Sequence, residues 1–82
     1  MKVIKFDRRH GLYKRGFTHG WRFNSWQLEA YNIEQGLRER GFVIGQDWDY
    51  FWAMKPARIT KKRPYYIGVR DEQMVTFVTL LL

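Results

Sequence analysis

One segment of this chain has both of its ends written into it, and the rest of the fold has to accommodate it. Asn24 is a good N-cap residue, and Gln27 three positions on completes a capping box. Phe23 and Leu28 sit at the spacing of a hydrophobic staple. Trp26, Ala30, Ile33 and Leu37 then recur at i, i+4, i+7 and i+11, a single apolar stripe. Gly41 suits the left-handed residue that ends a helix, with Phe42 placed to fold back on Leu37. Glu29 near the start and Arg38 and Arg40 near the end match the macrodipole. The pattern predicts a helix from about Ser25 to Arg40 with one face to bury.

Length limits what that face can be buried against. The 82 residues make one domain, 1–82, too small to bury more than about 60–65% of its exposable surface. Ring area makes up the deficit: six Phe, five Tyr and four Trp, each removing roughly 150–250 Å² from water when buried. The remaining segments read as strands. Met1–Phe6 alternates, and Lys2 and Lys5 mark it as an edge strand. Residues 7–23 are broken by Gly11, Gly16 and Gly20 and read as irregular, with a helical turn within Asp7–Lys14. After the helix, one strand-like run begins at Phe42–Ile44, breaks at Gly45 and resumes as Trp48–Met54, and a second opens at Arg58–Ile59 and continues past the cationic turn as Tyr65–Arg70. The apolar run Met74–Leu82 reads as a third strand, paired with Tyr65–Val69 across a turn at Asp71-Glu72-Gln73 and central because both its faces are apolar. The expectation is an α+β domain of two layers: an antiparallel sheet of about four strands under one main helix, in the order β-α-β-β-β. The helix covers one sheet face, and the other, holding rings and cations, is where function is expected.

Charge narrows the partners. Lys and Arg outnumber Asp and Glu by 15 to 8, a net charge of +7. Residues 1–41 carry nine cations and four acids, residues 42–82 six and four, so the surplus leans to the first half. Such a balance favours nucleic acid or an acidic protein surface. No apolar run reaches membrane-spanning length and no leader pattern opens the chain, so the expectation is a cytoplasmic protein without a membrane partner.

The densest functional signal lies between Trp48 and Arg63, where an aromatic strand passes through Pro56 into a cationic turn. By alternation Trp48, Tyr50, Trp52 and Met54 share one face, and Asp47, Asp49, Phe51 and Ala53 the other. Outward rings would stack unpaired bases, whereas inward rings would pack on Trp26 and Ile33. A small core claims large rings first, so most are expected inside, with at least one of Trp21, Trp48 and Trp52 partly exposed. The cations are the stronger candidates: Arg8, Arg9, Lys14, Arg15 and Arg22 in one loop, and Arg58, Lys61, Lys62 and Arg63 in the other. If they converge, they form a groove that tracks phosphates.

Catalytic and metal chemistry find little footing. With no cysteine there is neither a disulfide scaffold nor a Cys-based zinc site, and the spacing of His10, His19 and Asp7 fits no standard site. Asp47, Asp49 and Lys55 lack the acid–x–Lys element of a metal-dependent nuclease. Gly16-Phe-Thr-His-Gly20 lacks the Gly-Lys-Ser/Thr of a phosphate loop, and Gly11-Leu12-Tyr13 stands too far from Tyr66-Ile67-Gly68 to form a nuclease signature. No nucleophile–base pair, metal site or cofactor is expected.

The stretch Arg63-Pro-Tyr-Tyr-Ile-Gly-Val-Arg-Asp-Glu-Gln-Met-Val-Thr-Phe-Val resembles the terminal hairpin of RelE/ParE-type toxins, small basic proteins with a helical segment before an antiparallel sheet. That resemblance implies metal-free RNA cleavage by strand-borne side chains, for which Arg58, Lys61, Arg63 and Tyr65 hold the corresponding positions. The residues themselves favour a non-enzymatic basic module that engages nucleic-acid phosphates through its cationic loops. The alternative is a small inhibitor or accessory protein, of the kind phages and mobile elements encode, docking its basic face on an acidic partner. The toxin-like ribonuclease is a minor third.

Overall fold

The computed structural model describes residues 2–81. Seven elements follow in the order β1 (Val3–Lys5), α1 (Gly11–Lys14), β2 (His19–Phe23), α2 (Leu28–Glu39), β3 (Trp48–Trp52), β4 (Tyr65–Val69) and α3 (Glu72–Leu81). The four strands form one antiparallel sheet in the order β1-β2-β4-β3, so the α+β class, the strand count and the edge position of the first strand are as expected.

The strand identities differ from expectation: Phe42–Ile44 contributes only an isolated bridge from Ile44 to Trp48, Arg58–Ile59 forms a turn, and two longer segments change identity. Residues 19–23, expected to be irregular, form a central strand. Trp21 and Phe23 point into the core while Arg22 points out, a period-2 pattern beneath glycines that read as breakers. Gly20 is there because β4 comes too close for a side chain: a Cβ would strike the Ile67 carbonyl and sit 2.9 Å from the Gly68 Cα.

The run expected as the last strand is instead helix α3; Leu82 lies outside the described residues. The helix buries Val75 and Val78, three positions apart, where a strand would bury every second residue, and a run so short and so apolar satisfies both periods. The side chain of Asp71 decides it locally by accepting from the Met74 N–H at 2.9 Å, an N-cap that starts the helix. Thr76 and Thr79 then donate to the carbonyls of Glu72 and Val75, satisfying their hydroxyls within the helix. The expected β-α-β-β-β order therefore becomes β-α-β-α-β-β-α.

Helix α2 starts later than predicted, at Leu28 rather than about Ser25, and its N-cap is Gln27 with no side-chain cap bond. Its C-terminus follows the prediction: Gly41 has φ 83°, the Phe42 N–H reaches the Leu37 carbonyl at 3.0 Å and the Gly41 N–H that of Arg38 at 3.0 Å. These two bonds form a Schellman motif.

The sheet has a core on each face. Ala30, Ile33 and Leu37 of α2 and Val75 and Val78 of α3 pack over Trp21, Phe23, Trp48, Tyr65, Ile67 and Val69. On the opposite face a smaller cluster of Phe6, Leu12 and Phe17, from the segment around α1, packs with Phe51 and Tyr66. That segment fits because Gly20 and Gly68 stand opposite each other in the two central strands and leave a smooth floor.

Candidate functional site

Strand β3 runs along the free margin of the sheet, and its side chains divide between the two faces. Trp48, at the start, is fully buried beneath α2, with the Arg38 guanidinium 5.3 Å from its ring centre. Tyr50 and Trp52 share its face, yet they lie beside the helix rather than under it and stay 41% and 38% exposed. The expectation that most rings of this strand are core thus holds for Trp48 and not for its two neighbours. It also follows that the half-open rings lie on the helix-bearing face. The opposite face, expected to carry function, is occupied by the α1 cluster.

The two open rings rest on a rigid base. Tyr65 of β4 lies against both, 5.9 Å from Tyr50 in a stacked arrangement and 4.8 Å from Trp52 edge-on. The Tyr65 hydroxyl donates to Glu34 Oε1 at 2.8 Å, and the Trp26 indole N–H donates to the same oxygen at 3.2 Å. Arg38 lies 3.8 Å from the other carboxylate oxygen. Burial, reinforced by Glu34, pushes the Tyr65 phenol far above its usual range, so it stays protonated. Trp26, predicted to head the buried stripe, precedes the helix and is 46% exposed, edge-on to Tyr31. Sequence reasoning missed Glu34. The signal was present: Glu34 stands at i+4 from Ala30 and i−3 from Leu37, inside the apolar stripe, where a carboxylate must have buried partners.

The cations divide into committed and free ones. Arg15, just after α1, donates to Asp49 Oδ2 at 3.2 Å and to the Tyr50 carbonyl at 3.4 Å, tying the first basic loop to β3. Arg63, just before β4, donates through Nε to the Ala53 carbonyl at 2.8 Å and places its guanidinium 5.7 Å from the Trp52 ring centre. Its terminal nitrogens make no hydrogen bond among the described residues. A groove of about 340 Å³ runs along this margin, lined by Arg15, Asp49, Tyr50, Phe51, Trp52 and Met54. Both predicted loops therefore reach β3.

Arg58, Lys61 and Lys62 project from the β3–β4 arm, which closes on itself through Lys61 N–H to Ala57 O and Ala57 N–H to Lys62 O, both 2.9 Å. Lys61 takes φ 58° at its tip. Arg8, Arg9 and Lys14 are exposed around α1. Arg22 does not join the margin: it stands opposite Tyr66, with β4 between it and β3, and donates to Asn24 Oδ1 at 3.1 Å. Arg70 was not among the candidates and serves the fold. It donates to the Gln46 and Arg15 carbonyls and covers the Phe17 ring at 4.2 Å.

The residues weighed for metal chemistry have structural employment. Asp47 accepts from the Val43 N–H at 2.7 Å, and Asp49 holds Arg15. His10 caps α1 by accepting from the Leu12 N–H at 3.1 Å on Nδ1, and its ring sits 4.6 Å from Phe6, 4.6 Å from Tyr66 and 4.9 Å from Phe51. Burial there, with the Arg15 charge adding, lowers its pKa from the usual imidazole value. His19 Nδ1 lies 2.8 Å from the Thr18 hydroxyl. Among the described residues no three His, Asp or Glu side chains gather into a metal-sized cluster. The terminal hairpin that carried the toxin resemblance is a strand followed by a helix. Of the four positions the resemblance pointed to, Tyr65 is buried at 2% exposure, and Arg58, Lys61 and Arg63 stay on the arm.

Compared with protein-family models, with curated proteins and with solved structures, the chain finds no match in any of the three. Among the described residues no helix is long and apolar enough to cross a membrane.

Proposed function

We propose that this protein is a non-enzymatic basic module that engages nucleic-acid phosphates along the β3 margin. One observation carries the reading: Arg15 from the first basic loop lines the groove at β3 together with Tyr50 and Trp52, and Arg63 from the second sets its guanidinium 5.7 Å from the ring centre of that same Trp52. Arg63 is oriented by its bond to Ala53 while its terminal nitrogens make no hydrogen bond among the described residues, the disposition a phosphate needs. Arg58, Lys61 and Lys62 extend the positive surface along the arm, and the net charge of +7 draws a polyanion from a distance.

A mobility-shift titration with single- and double-stranded DNA and RNA at near-physiological salt tests this. Binding is expected, and the Lys61→Ala, Lys62→Ala, Arg63→Ala triple variant should weaken it about equally across sequences. No shift with any of the four would overturn it. The reading as an inhibitor that docks on an acidic protein draws on a different observation. Met54 and Ile59 are 83% and 94% exposed among the cations, and apolar anchors ringed by charge suit a protein interface.

A further inference from the structure

We infer that Trp52 and Tyr50 form a stacking platform for unpaired bases, which makes the partner a single-stranded nucleic acid rather than a duplex. The inference rests on the nucleic-acid reading above and specifies which form the groove accepts.

Tyr50 and Trp52 stand at i and i+2 of one strand, so they present on one face about 7 Å apart, twice the strand rise. An extended single strand offers successive bases on a comparable scale, whereas the bases of a duplex are stacked on each other and closed to a protein ring. Both rings are half-open, at 41% and 38% exposure, so each has surface to offer without unfolding anything.

Exposed aromatic side chains on a strand margin ordinarily sample several rotamers, and binding would have to freeze them. Here Tyr65 supports both rings from within, and its own position is fixed by Glu34, which Trp26 also holds. The platform is therefore set before a ligand arrives.

Charge selects the occupant. The Arg63 guanidinium sits 5.7 Å from the Trp52 ring centre with its Nε tied to the Ala53 carbonyl, so a base stacked on the open part of that ring has its phosphate within reach of a cation. The one acid in the groove, Asp49, is paired with Arg15, which removes the repulsion a phosphate would otherwise meet. An uncharged aromatic ligand would use the rings but leave these cations idle. A phosphate alone would use the cations but not the rings. A single-stranded nucleic acid uses both. The groove volume, about 340 Å³, lies at the low end of small-ligand sites and suits one nucleotide at a time.

Fluorescence anisotropy with labelled oligothymidylate and oligouridylate of about 12 nucleotides, and a duplex of equal length, tests the inference on the full chain. Wild type is expected to bind the single strands more tightly than the duplex. Trp52→Ala should weaken single-strand binding by about 5- to 150-fold with an unchanged salt slope, while Trp52→Phe keeps most of the affinity. Arg63→Ala should instead lower the salt slope by about 0.7 on a single strand. Preference for the thymidylate or the uridylate separates a DNA from an RNA ligand. If the single strands bind no better than the duplex, or Trp52→Phe weakens them as much as Trp52→Ala, the platform is wrong and the phosphate-binding module survives. If wild type binds none of the probes, the module and the platform fall together. Should Trp52→Ala fail to fold, quenching of the indole emission by oligothymidylate in wild type, lost in Trp52→Phe, reads the same contact; no quenching would overturn it.

Discussion

Gly20 and Gly68 stand opposite each other in the two central strands, and the segment around α1 lies on the floor they make. A Cβ on Gly68 would meet Leu12, Phe17 and Phe6 at 3.0–3.1 Å, so Gly68→Ala overpacks a closed cluster. The expected loss is about 1–3 kcal/mol, read as a lower urea midpoint with an unchanged m-value. His10, in the same cluster, gives the residue scale a pH dependence. Its folded-state pKa is lowered, so below the ordinary imidazole value of about 6.5 the unfolded chain binds the proton first. Stability from this residue is complete above that pH and is lost as pH falls. The melting midpoint should drop between pH 7 and pH 5, and His10→Asn, which keeps an N-cap acceptor, should flatten that drop. Glu34 is a third such residue. Glu34→Ala leaves the buried Tyr65 hydroxyl without its partner, at a cost of about 1–3 kcal/mol in a denaturant titration. The substitution also frees the base on which Tyr50 and Trp52 rest.

At the scale of elements, α2 was legible and α3 was not, for the same physical reason. The charges and glycine at the C-terminus of α2 act within the chain, so Gly41 and Phe42 close a Schellman motif wherever the helix is packed. Met74–Leu80 carries an apolar pattern that serves either period, and its cap is one aspartate that equally marks a turn. What holds α3 is burial of Val75 and Val78 on the sheet, a contact no local signal announces. Val78→Ala removes two buried methyl groups and should cost about 2 kcal/mol by thermal or chemical unfolding. Were residues 74–80 a strand, the loss would be of similar size, so helix content by circular dichroism is the sharper measurement. Substituting Val75→Pro should abolish the α3 share of it. Strand β2 was hidden differently. Its glycine, Gly20, looks like a breaker in isolation and turns out to be the clearance that the close approach of β4 requires.

For the whole molecule, the relevant quantity is how the +7 charge is arranged. On a single strand each phosphate neutralised contributes about 0.7 to the slope of log K against log salt. The triple substitution Lys61→Ala, Lys62→Ala, Arg63→Ala should therefore flatten that slope by up to about 2, whereas Arg22→Ala, which lies away from the margin, should leave it unchanged. The cations proposed for the site were legible because Lys and Arg declare themselves in any context. Their companions were not. Glu34 and Tyr65 matter through one hydrogen bond between residues 31 positions apart, and Arg70, which carries the same charge as Arg63, is consumed by two carbonyls and a ring.

The sequence by itself determined the class, the main helix with its C-terminal end, and the stretch from Trp48 to Arg63 as the place where rings give way to cations. Those follow from local propensities, side-chain period and charge, which act over a few residues. Only the tertiary structure decided that Trp48 is core while Tyr50 and Trp52 stay open, because that depends on where α2 stops covering the sheet. It alone brought Arg15 and Arg63, 48 positions apart in the chain, to the same edge strand, since the first basic loop reaches β3 only once β2 and β4 have paired beside it.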